Sequence, residues 1–197
     1  FCAARTEPGV HASKQTVNFK TNCIFSPEDF LKNLNHYLPQ DIAILKAIEA
    51  PERFHAALNL QSVVYTYSLQ TGEVSDPFSR KYTLFLPESL NISAMENAAA
   101  MLTGTHDFQN FSSGKKKKGT EKTLINAQVL RSSNDEIQFI FEANAFLHQM
   151  PLILAGTLLD IGLKHRCSSC ISAVFEGKEA ASRPAPAHAL VLSDTKY

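Results

Sequence analysis

Charge of neither sign predominates in this 197-residue chain: nineteen lysines and arginines face nineteen aspartates and glutamates, and the pI lies near 7.2. Proteins that grip nucleic acid through its phosphates usually carry a basic excess, so bulk charge makes no case for such a partner. Long apolar runs are missing as well. The best, from Leu152 to Leu163, falls short of the roughly 18 to 20 residues a membrane helix needs and contains Asp160, so no membrane partner is expected. Cysteine is scarce, with four residues at 2, 23, 167 and 170. Only Cys167-Ser-Ser-Cys170 has ligand-like spacing, there is no second pair, and no histidine sits at finger spacing. No metal is therefore expected, and reduced, mostly structural thiols in a reducing compartment are. No internal repeat is visible, and the one low-complexity run is Ser112 to Gly119. The first residue is not methionine, and Phe1-Cys2-Ala3-Ala4 reads as the end of a strand. The natural chain is thus expected to begin earlier, with any targeting signal in the preceding piece.

What is present suits a globular protein, with 44% hydrophobic residues. Ser26-Pro27-Glu28-Asp29 supplies an N-cap, a proline for the first turn and early acids, and Phe30, Leu31 and Leu34 follow at helical spacing. A helix over about 27–37 is expected, ended by Pro39. Ile42 to Ile48 alternates as a strand would. Val63 to Leu69 is β-branched and aromatic, which suits a central strand. Ser93-Ala-Met-Glu96 has the pattern of a capping box opening a helix over about 93–103. Thr123 to Val129 and Glu136 to Phe141, around Ser132-Ser-Asn-Asp135, read as an antiparallel pair. Ala145 to Lys164 is helical in period, with Pro151 either kinking the helix or marking its beginning. A helix over about 168–177 and a strand at Leu190-Val191-Leu192 close the chain. The fold class expected is α+β, a mainly antiparallel sheet flanked by helices.

The motifs agree in order along the chain. Arg5-Thr-Glu7-Pro-Gly-Val-His11-Ala12 resembles the Arg-Thr-Asp-Ala-Gly-Val-His-Ala signature of TruA-type tRNA pseudouridine synthases. Leu34-Asn35, Leu38-Pro39 and Asp41-Ile42 follow the same family's pattern, as do Phe54-His55-Ala56, Tyr65-Thr-Tyr67 and Gly104-Thr-His106-Asp107-Phe108. So do Asn144-Ala-Phe146-Leu-His-Gln-Met150 and Ala185-Pro186-Ala-His188. The resemblance spans essentially all the residues and implies a pseudouridine-synthase-like fold lacking its first strand and helix. Residues 1–55 are then the remainder of an N-terminal subdomain carrying the Arg-Thr-Glu loop, and 56–197 a C-terminal subdomain.

The resemblance also implies a reaction, uridine to pseudouridine in the anticodon stem-loop of tRNA, without cofactor or metal. The target base must leave its stack to be reached. It further implies a homodimer, and a cytoplasmic setting is expected, an organellar one remaining open. By position Glu7 is the nucleophile, Tyr65 packs on the extruded base, and Arg5 is the cation available to Glu7. His11, His106 and Lys122 are candidate RNA contacts. Lys115, Lys116, Lys117 and Lys118 read either as a solvated loop or as an RNA-touching one. Three positions depart from the pattern. Glu7 replaces aspartate and is one methylene longer, Ala57 replaces an arginine, and Leu152 stands where the arginine that pairs with the nucleophile is expected. These departures support an alternative reading, a catalytically degenerate homologue serving as an RNA-binding or scaffold protein.

Overall fold

Alternating apolar side chains on the long strands build the framework that positions everything else. The computed structural model describes residues 1–114, 119–132 and 135–197. In chain order its elements are β1 (His11–Ala12), α1 (Pro27–Tyr37), β2 (Ser62–Gln70), β3 (Leu84–Phe85), α2 (Ile92–Leu102), β4 (Gly104–Asp107), β5 (Glu121–Arg131), β6 (Glu136–Ala143), α3 (Met150–Gly162), α4 (Cys170–Phe175) and β7 (Leu190–Lys196). Short 3-10 turns lie at Gln109–Phe111 and Ala187–Ala189. The strands make one sheet in the order β1-β7-β2-β6-β5-β4, with β3 paired to β2 off this path. The long strands pair antiparallel, and only the two-residue β1 and β3 join their neighbours in parallel. The expected α+β class, with a mainly antiparallel sheet flanked by helices, is what the chain adopts.

Strand β2 lies inside the sheet, as its composition suggests. Val63, Tyr65, Tyr67 and Leu69 point to one face, opposite Ala143, Phe141, Phe139 and Ile137 of β6, and all eight are buried. Helices α2 and α3 pack with one another, α2 also meets β5, and both contribute to the same core. Helix α3 is apolar all round, and every one of its residues except Asp160 is buried. Gly156 is needed there because a Cβ would collide with the backbone carbonyl of Arg183. Pro151 lies in the first turn of α3, where its missing N–H costs nothing, so it opens the helix rather than kinking it.

Three expectations are corrected. The 42–48 segment forms no strand: Asn35 on α1 accepts from Ile44 N at 2.7 Å and donates to Ile44 O at 2.9 Å, taking the hydrogen bonds a neighbouring strand would use. Helix α2 is capped by Asn91, whose side chain accepts from Ala94 N, and Ser93 lies already inside the helix. The expected strand end at residues 1–4 reduces to an isolated bridge between Cys2 and Val17. The cap at Ser26 is as expected, its side chain accepting from Asp29 N.

Candidate active site

The stretch Glu7-Pro8-Gly9-Val10 is a tight turn. Val10 N donates to Glu7 O at 3.0 Å, proline fills the second position and Gly9 takes φ 83°, the combination a type II turn demands. The chain leaves this turn directly into β1, where His11 and Ala12 pair with Val191 and Leu192 of β7. The turn is therefore anchored to the sheet rather than free in solvent.

The Glu7 side chain, 21% exposed, reaches the start of α3. Gln149, the residue before that helix, takes a left-handed φ of 57° and donates its N–H to Glu7 Oε1 at 2.9 Å. Backbone donors and the positive end of the helix dipole both favour a carboxylate there. The other oxygen, Oε2, stands 3.3 Å from His148 Nε2. Tyr65, on the inward face of β2, is buried and meets Phe146 edge-on with ring centroids 5.2 Å apart. Burial, and then the nearby charge of Glu7, push its phenol up to about 12. Among the described residues its hydroxyl has no hydrogen-bond partner.

Glu7, His148, Tyr65 and Phe146 line one cavity of about 350 Å³, together with Ala4, Arg5, Ala57, Asn144 and Pro151. The three residues that the sequence marks as catalytic, Glu7, Tyr65 and Arg5, thus converge, although 58 positions of chain separate the first two. Their geometry differs from the expectation in one respect. Arg5 is exposed and, among the described residues, forms no ion pair; the side chain that meets Glu7 is His148. Leu152 does not line the cavity and packs instead in the core, 2% exposed.

None of the described RNA-contact candidates lines this cavity. His11 meets Lys81 O through Nε2 at 3.0 Å and lies against Tyr82. His106 meets Thr103 O at 3.2 Å and stacks on Phe175 at 4.6 Å. Lys122 donates to Gly119 O at 2.8 Å. Lys115 to Lys118 lie outside the described residues. His148 and Gln149 were not singled out by residue type. Their signal was only their place inside the Asn144 to Met150 motif, between two residues that the pattern does mark.

A family model described as tRNA pseudouridine synthase matches residues 98–197. The chain is 36% identical over 198 residues to a protein named tRNA pseudouridine synthase A 2 from Clostridium tetani, covering 99% of this chain and 79% of that one. It is 36% identical over 191 residues to tRNA pseudouridine synthase A from Halalkalibacterium halodurans, covering 96% and 73%. A Geobacillus protein named tRNA pseudouridine synthase A is 34% identical over 197 residues, covering 99% and 79%.

Proposed function

Because this chain belongs to the tRNA pseudouridine synthase family, we propose that it isomerises uridine to pseudouridine in the anticodon stem-loop of tRNA, with Glu7 as nucleophile. Carboxylate attack at C1′ releases the uracil from its N1 bond, and the base turns within the cavity. C5 then attacks C1′ and displaces the carboxylate. A proton leaves C5 and one is taken up at N1, so product and substrate are isomers and no cofactor is consumed. Tyr65 offers its ring to the extruded base, and Arg5, at the exposed mouth, is placed to meet a phosphate.

The observation that carries this reading is the convergence of the Glu7 carboxylate and the Tyr65 ring on one cavity, the carboxylate already held by the backbone of Gln149. An extra methylene relative to aspartate matters only if it misplaces the oxygens, since an error of about 1 Å can cost on the order of a hundredfold in rate. Conversion of uridine in unmodified tRNA by the full chain tests the assignment. Turnover is expected from the wild type and is lost in Glu7→Ala. Product from Glu7→Asp with none from the wild type would refute the competence of the present site.

We also read residues 1–55 as an N-terminal subdomain remainder and 56–197 as a C-terminal one, and infer a homodimer in the cytoplasm. Among the described residues no helix is long and apolar enough to cross a membrane.

One observation favours a second reading, an RNA-binding or scaffold homologue without catalysis. Ala57 and Val63 line the cavity, and among the described residues Arg5 is its one lysine or arginine. A filter-binding titration of tRNA against salt separates the two: a shallow slope means few phosphates are engaged, and turnover at ordinary synthase rates ends the second reading.

A further inference from the structure

Each oxygen of the Glu7 carboxylate has its own neighbour. Gln149 N–H holds Oε1 at 2.9 Å, while Oε2 faces His148 Nε2 at 3.3 Å. A carboxylate held at one oxygen still swings about that bond; a second contact on the other oxygen fixes its plane. The histidine is itself held from behind. Ser113, just past the 3-10 turn at Gln109–Phe111, sits with Oγ 2.5 Å from His148 Nδ1, and its N–H donates to His148 O at 3.1 Å.

We propose that His148, oriented by Ser113, is the positioning residue that aims the Glu7 carboxylate into the cavity. This rests on the nucleophile assignment above. Either charge state of the ring can present a proton to Glu7. With a neutral ring, the Glu7 carboxylate, which can only accept, selects the tautomer with its proton on Nε2, and the Ser113 hydroxyl then donates to Nδ1. With a protonated ring, Nδ1–H donates to Ser113 Oγ and Nε2 still presents a proton. The hydrogen bond made at one ring nitrogen sets the role of the other, so Ser113 and Glu7 together fix the direction of the ring. The groups facing the ring are Glu7 at Nε2 and Ser113 at Nδ1, and Tyr65 and Arg5 line the same cavity. The histidine side chain is 59% exposed, so screening leaves the pair little weight in folding, and its consequence is geometric.

Two measurements on the full chain test it. Histidine-selective nitrogen NMR should place a proton on Nε2 of His148, and the ring signals should move in Glu7→Gln while those of His106 stay. A bare Nε2, or signals indifferent to Glu7→Gln, overturns the pairing whatever the activity. In steady-state assays His148→Ala should lower kcat by roughly ten- to hundredfold with KM for tRNA changed less than about twofold. His148→Gln, whose amide N–H can stand where Nε2–H does, should recover most of that loss, and Ser113→Ala should show a smaller loss of the same kind. Equal losses in His148→Gln and His148→Ala, or a loss confined to KM, refute the positioning role. A wild type that shows the NMR coupling but makes no pseudouridine refutes the nucleophile assignment and leaves the pair standing.

Discussion

The sheet with its packed helices and the segment between residues 19 and 53 draw on similarly apolar stretches, yet their side chains end in opposite surroundings. In the first, Tyr67, Phe139, Phe141 and Leu154 are wholly buried. In the second, Ile24 is 97% and Leu45 78% exposed, and α1, despite a sound cap and an apolar face, buries no residue. Caps, periodicity and side-chain hydrogen bonds suffice to shape a segment locally. Burial needs a partner surface, and the long antiparallel strands supply it only to elements packed on their inward face.

The contrast is most open to attack at Phe141, opposite Tyr65 in the sheet. Phe141→Ala should lower stability by about 3–5 kcal/mol in denaturant unfolding, whereas Leu45→Ala should cost less than about 0.5 kcal/mol. Similar costs at the two sites would erase the distinction.

Alkaline pH sharpens it from the buried side. The Tyr65 phenol loses its proton near 10 when unfolded and at about 12 when folded. Between those values the folded chain holds the extra proton, so stability falls as pH rises from 10 to 12, by on the order of 2–3 kcal/mol from this group. Tyr67, buried and donating to Pro186 O at 3.1 Å, is raised in the same direction. Stability measured across that range should decline less steeply in Tyr65→Phe. A Tyr65→Phe profile superimposable on the wild type would remove Tyr65 from the buried group.

A smaller effect than at either buried position belongs to the exposed segment's own clamp. Asn35→Ala removes both bonds to Ile44 and should cost about 1 kcal/mol, with faster amide exchange confined to residues near 44. Faster exchange reaching β2 would mean that segment and sheet act as one unit.

Much of the architecture was legible because it rests on local chemistry: Ser26 and Pro27 start α1, Pro151 opens α3, and alternation marks β2, β5 and β6. Ile42 to Ile48 misled because alternation records which faces differ, not whether a strand lies alongside, and here Asn35 occupies the backbone. Asn91 was overlooked because Ser93 and Glu96 offered a better-looking cap two residues on. At the site, Glu7, Arg5 and Tyr65 were visible through motif order. The partner of Glu7 was not, since what brings His148 to it is the turn at Pro8-Gly9 and the tether through β1. Spacing along the chain carries no trace of that.

The hydrogen bond from Gln149 to Glu7 joins residues 142 positions apart, and β1 reaches its place by pairing with residues 191 and 192. The proposed centre therefore cannot form on a nascent chain while β7 is still inside the ribosome. It is completed only when β7 comes back to hold β1 and the turn at Glu7, which makes turnover a report on assembly of the sheet as much as on any single side chain.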